Sequence, residues 1–198
     1  MTSVTRPRAR SALVSGAALL LLAGAAGCDS GDDIGNSSDA SPGSHASEDP
    51  GVATVITIEH GEGMDAARQA KVLDAITAVV DPWFDEAFLG DFPRSDFSPA
   101  FTAFTKDAAA DAQRDLDIMS SSGIADEIDS ATATNRRVRL DVFAPGGHPR
   151  GVTANFVLDF DTTGGLEKHL RVHGALYLAK DKGEWKVFGY DVDQAVEL

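Results

Sequence analysis

The sequence predicts an α+β domain, with N-terminal helices packed on one face of a curved antiparallel meander of four or more strands. Three observations carry that expectation. Between residues 65 and 119 apolar side chains recur at helical spacing. Between residues 131 and 191 they recur at every second position. The links in that last third, "GGHPRG", "TTGGLEK" and "DKG", are turn-rich and too short for the crossovers that parallel strands need.

The elements follow in chain order. Residues 1–27 carry Arg6, Arg8 and Arg10 and no acid, and Ala12 to Gly27 is almost wholly Ala, Leu, Gly and Val. A basic segment, an apolar run and a zone of small residues make a secretory signal. No two arginines are adjacent, so the twin-arginine route is not indicated. The apolar run lies near the short limit for a span, ~17 residues, and Ser15, Gly16, Gly24 and Gly27 interrupt it, which argues against a permanent transmembrane helix.

Cys28 closes this segment and is the only cysteine in the chain, so an internal disulfide is excluded by counting. A free thiol, an intermolecular disulfide and a lipid attachment point remain. Residues 29–50, "DSGDDIGNSSDASPGSHASEDP", hold six acids, no Lys or Arg, no aromatic residue and one sizeable aliphatic, Ile34. Such a stretch buries too little surface to fold, and it is expected to be a disordered acidic tether spanning on the order of 25 Å.

The folded domain is expected over residues 51–198, within the usual size of a single domain. Removal of residues 1–27, with three arginines and no acid, takes the formal charge from -14 to -17. Phosphate backbones require a basic stripe, so no nucleic-acid partner is expected.

"GVATVITIEHGEG" is rich in β-branched residues and predicts a strand over 52–58, ended by Gly61 and Gly63. Asp65 is placed to cap a helix over "DAARQAKVLDAITAVV", with Val72, Leu73, Ile76, Val79 and Val80 on its inner face. Asp81-Pro82 is expected to stop it and to start a second short helix that buries Trp83, Phe84 and Phe88. Ser98-Pro99 is a further helix start. Thr105 caps a helix over 106–119, with Ala109, Ala112, Leu116 and Met119 inward. Six phenylalanines fall between Phe84 and Phe104, and core packing explains them better than a lipid or cofactor pocket does.

The strands then follow. Val138, Leu140 and Val142 alternate with Arg137, Arg139 and Asp141. Val152, Ala154, Phe156, Leu158 and Phe160 share one face of "VTANFVLDFD". Leu170, Val172, Leu176 and Leu178 share one face of the next strand, with Arg171, His173 and Tyr177 on the other. "DKG" turns into "EWKVFGYDVDQ".

Ala25-Ala26-Gly27-Cys28 resembles the bacterial lipobox, although Ala25 stands where that motif prefers Leu. The resemblance implies that the Cys28 thiol takes a diacylglycerol and becomes the mature N-terminus, and stable anchoring does need two or more acyl chains. The alternative is signal cleavage after Ala23-Gly24-Ala25, which would release a soluble protein. Helices followed by a meander that ends Gly183-x-Trp185-x-Val187 with Asp191 resemble the NTF2-like (SnoaL-like, cystatin-type) superfamily, a sheet wrapped on helices as a cone. "PWFDEAFLGDFPRSDF" is similar to actinobacterial lipoproteins and Mce-associated proteins with such a domain.

The resemblance implies a lipid-anchored protein on the extracytoplasmic face of the cell membrane, without a cofactor. Its domain would bind a protein partner or an apolar ligand, or serve as an accessory to an envelope lipid importer. Enzymes of the superfamily, of the isomerase or dehydratase kind, place Asp, His and Tyr inside the cone. The matching candidates here are Asp159, His173 and Tyr177, with Asn155 beside Asp159, and proton transfer would be their chemistry. Alternation alone places the same residues on the wet face of a half-buried sheet. His169 and His173 lack a third partner for a metal, and His148 lies in a turn.

Overall fold

The structure, a computed structural model, describes residues 52–198; the signal segment, Cys28 and residues 29–50 lie outside the described residues. The described chain is α+β, with a seven-stranded, mostly antiparallel open sheet and helices on one face.

Strand β1 (Val55–His60) comes first, and helix α1 (Ala66–Ala87) follows. The Asp65 carboxylate accepts a hydrogen bond from the Arg68 amide at 2.8 Å, as its capping position requires. The expected break at Pro82 does not occur: α1 runs through it to Ala87. A proline inside a helix costs ~3 kcal/mol. Continuing the helix buries Trp83, Phe84 and Ala87 on the same face as Ile76, Val79 and Val80. Each large apolar side chain so buried contributes roughly 1.5–3 kcal/mol, so packing wins.

A two-residue strand β2 (Gly90–Asp91) and a 3₁₀ turn over Ser98–Phe101 follow. All six phenylalanines from Phe84 to Phe104 are buried. Thr105 caps α2 (Lys106–Arg114), its hydroxyl accepting from the Ala108 amide. This helix is shorter than the sequence suggests. Asp115, at φ -101 and ψ 28, breaks it, and a single turn α3 (Leu116–Met119) follows. The buried positions are Ala108, Ala112 and Met119, whereas Ala109 and Leu116 are only partly covered.

The sheet is then completed by β3 (Ile128–Phe143), β4 (Gly151–Gly164), β5 (His169–Asp181), β6 (Glu184–Val192) and β7 (Val196–Glu197). Its order is β1-β3-β4-β5-β6, with β2 also pairing β3 and β7 also pairing β5. The β3 to β6 meander is antiparallel. The tight link between β5 and β6 puts Lys182 at φ 51 and Gly183 at φ 97, both of the sign that a two-residue hairpin turn demands.

Strand β1 is the exception. It runs parallel to β3 at the sheet edge, in register Ile56 to Val138 and Ile58 to Leu140. It begins at Val55, three residues later than the alternation suggests.

One face of the sheet meets the helices. Val138, Leu140, Ala154, Leu158, Val172, Leu176, Leu178 and Val187 are fully buried there. Phe156 and Phe160 reach into the aromatics of α1 and the residues after it, with ring centroids 5.0 Å apart for Trp83–Phe156 and 6.3 Å for Phe88–Phe160. Among the described residues no helix covers the opposite, open face.

Candidate functional site

Two concave regions stand out, one on each side of the sheet. The first is a cavity of about 440 Å³ at the end of the helix-covered layer. Its apolar wall is Phe88, Ile124, Phe160, Leu166 and Leu170. Local chemistry builds the rest. Ser121 donates to the Phe88 carbonyl at 3.2 Å, which ties the turn after α3 to the end of α1, and Ser120 donates to the Leu116 carbonyl of α3 at 2.7 Å. Thr162 donates to the Leu166 carbonyl at 2.6 Å and accepts from the Lys168 amide at 2.9 Å, which folds the β4–β5 turn over the opening. The rim is polar: Asp117, Gln194, and an ion pair at 2.6 Å between Lys168 and Glu197. The volume falls within the usual range for small-molecule sites. Of these wall residues only Phe88 belongs to the phenylalanine run that the sequence offers as a pocket, and the rest carry no such signal because they come from separate segments.

The second region is a shallow groove of about 710 Å³ on the open face. Asn155, Arg171, His173 and Tyr177 line it. Asp159, Asn155, His173 and Tyr177 therefore share a face, but it is the face away from the aromatic layer. Asp159 is only 6 % exposed there. Arg171 covers it with two bonds, Nε to Oδ1 at 2.6 Å and Nη2 to Oδ2 at 2.8 Å, and Asn135 adds a third at 3.2 Å. The guanidinium of Arg171 holds the Asp159 carboxyl below the usual carboxylate range, and it outweighs the opposing effect of burial. A general base working near neutrality needs a shift the other way.

His173 pairs with Asp193 at 3.0 Å, and His169 pairs with Asp161. His148 is exposed beside Pro149, in the turn where it was expected. A β-bulge between Ile58 and His60 sets two residues of β1 against Asp141. It brings ligand-type atoms of Glu59, His60 and Asp141 within 4.8 Å of one another. Those atoms are already engaged. His60 meets Asp141 at 2.5 Å, Arg139 meets Glu59 at 3.2 Å, and Asn155 donates to the other Asp141 oxygen at 2.9 Å. The Asp141 hydrogen bond raises the His60 pKa above its ordinary 6.5. On the helix side, burial and a 2.8 Å bond to Asp115 push the Tyr190 hydroxyl well up, so it remains a neutral donor joining β6 to the α2–α3 junction.

No helix among the described residues is long and apolar enough to cross a membrane. No family model matches the chain, and neither a curated protein nor a solved structure matches it.

Proposed function

We propose that this chain is a lipid-anchored extracytoplasmic binding protein. In this reading Cys28 carries the lipid, residues 29–50 form the tether, and an NTF2-like domain holds an apolar ligand without transforming it. The observation that carries the reading is the cavity of about 440 Å³ at the end of an otherwise filled aromatic layer, walled by apolar side chains and the buried Ser120 and Ser121, with exposed polar residues at its rim. That lining suits an amphiphile with its tail inward. The candidate proton-transfer residues support binding over catalysis. Asp159 is committed to Arg171, and Asp159, His173 and Tyr177 lie on the far face of the sheet from the cavity. The order of helices before an antiparallel meander supports the NTF2-like assignment.

The test is titration of the protein with a fluorescent long-chain fatty acid. Gly123 sits at the cavity mouth, and a Cβ added there would meet nothing within 4 Å. Gly123→Leu should therefore obstruct the cavity without strain and weaken probe binding at least tenfold, with an unchanged melting temperature. Wild-type protein that does not take up the probe, or a variant that binds it equally well, would overturn the ligand reading. The anchoring claim is separate. Cys28→Ala should leave the membrane fraction, and if it stays there Cys28 is not the anchor.

A further inference from the structure

The sheet register lays out the open face as rows of cross-strand neighbours, and most charges on it have an opposite charge beside them. Asp159 stands against Arg171, His60 against Asp141, and His169 against Asp161. One row differs. Arg137 lies between Val55 on β1 and Val157 on β4, with His173 beyond Val157. It is exposed, and it makes no ion pair or side-chain hydrogen bond among the described residues.

Arg139 sits two residues along the same strand and the same face, ~7 Å away. Its cross-strand neighbours, Thr57 and Asn155, are uncharged, and it spends one nitrogen on the half-exposed Glu59 at 3.2 Å. Both arginines overlook the groove, whose floor of Val157, Asn155 and Ala175 is short and uncharged.

Two guanidinium groups two residues apart on one strand face repel each other; Arg139 has Glu59 beside it at 3.2 Å, and Arg137 has no carboxylate partner among the described residues. The chain has 31 acids against 17 Lys and Arg, so the shortage of partners is local. A single tetrahedral dianion offers enough oxygens to engage both forks at once, whereas the two oxygens of a carboxylate are used up by one. We infer that Arg137 and Arg139 form an anion site on the open face that takes a phosphate dianion, either free phosphate or a phosphate monoester. Asp191 and Asp193 also border the groove, and they set its selectivity. Asp193 is held by His173, while Asp191 repels an anion that lacks the double-arginine contact. The site lies across the sheet from the cavity and does not depend on what the cavity binds.

The experiment is a nitrogen–proton NMR titration of the full-length chain with inorganic phosphate, with glycerol 3-phosphate, and with glycerophosphoglycerol as a soluble lipid-headgroup diester. Phosphate and the monoester should shift the amides of residues 137, 139 and 157 and the Arg137 side-chain NH, with millimolar or tighter affinity. Arg137→Gln and Arg139→Gln should each weaken that binding at least tenfold. Arg150→Gln, which removes an exposed arginine outside the groove, should change it less than twofold. Absence of shifts at 20 mM phosphate, or equal weakening by Arg150→Gln, would overturn the site. Binding of the diester as tight as that of the monoester would overturn the dianion assignment.

Discussion

Replacing Arg171 by methionine keeps the length of the stem and removes the fork that holds Asp159. Both Asp159 oxygens lose a charge-assisted bond, those at 2.6 and 2.8 Å, and only the 3.2 Å bond from Asn135 remains. Removing one partner of a fully buried pair costs ~3–5 kcal/mol. Here the Arg171 side chain is 39 % exposed, so water reaches the stranded carboxylate and the lower range for a charged hydrogen bond applies. The expected loss is about 2 kcal/mol at pH 7. In a domain of this size it corresponds to a fall in Tm of roughly 4–8 °C.

The pH dependence is the sharper part of this prediction. Arg171 lowers the folded pKa of Asp159 below its unfolded value. Its stabilisation is therefore complete above the unfolded value, ~3.9, and is lost as pH falls through the folded one. Wild type and variant should differ most at neutral pH and converge in acid. Urea unfolding followed by the fluorescence of Trp83 and Trp185, both buried, reads the difference. A loss below ~0.5 kcal/mol, or an equal loss at pH 7 and pH 3, would show that Asp159 is not held by Arg171. It would also return Asp159 to the pool of groups free to act on a proton.

Two further substitutions test the frame around the sites. Gly174 on β5 faces Val192, and a Cβ there would press on the Asp191 carbonyl oxygen and the Val192 Cα. Gly174→Ala should force the β5–β6 pairing apart and cost about 3 kcal/mol, measured by urea unfolding; a loss under ~1 kcal/mol would mean the strands are not this close. Pro82 is exposed within α1, so Pro82→Ala restores a helical amide without touching the core. The gain in the helix exceeds the entropy lost by freeing the unfolded chain, and a net stabilisation of about 1 kcal/mol is expected by thermal melting. Destabilisation would indicate that the fixed backbone of Pro82 contributes more than its missing amide costs.

The strands were legible because one face of each is packed and the other is not. Alternation therefore placed Val138, Leu140, Phe156, Leu158, Val172 and Leu176 without any knowledge of partners. Pro82 misled because a local rule was set against a tertiary one, and the aromatic residues that outweighed it lie further along the chain. Arg136 carries a signal that could have been used. Alternation from Val138 puts it on the buried face, and there it pairs with Asp85 and lies over the Phe84 ring. The Arg171–Asp159 pair depends on a seven-residue turn whose register the sequence does not fix, and β1 depends on a parallel partner some 80 residues away. The cavity was least legible, since its walls come from four segments that no local pattern connects.

Cross-strand pairing also explains why the open face is charged but not uniformly so. Slipping one strand by a single residue would turn its buried set to solvent, and apolar alternation already forbids that. A slip of two preserves alternation, so apolar patterning alone does not exclude it. The charged rows do. Shifting β5 by two residues against β4 would set His173 or His169 opposite Asp159 in place of Arg171, and the bidentate bonds would be lost. Like-for-unlike exchanges across a sheet are worth up to ~1 kcal/mol each, enough to fix register when several act together. The paired acids, arginines and histidines of β4 and β5 thus have a structural reason to be there. Arg137 has none: Val55 and Val157 flank it, and it makes no contribution to register. A charge that the fold does not use is where recognition of something outside the fold is best sought, and it is why the arginine pair, not the Asp–His–Tyr set, marks the functional part of this face.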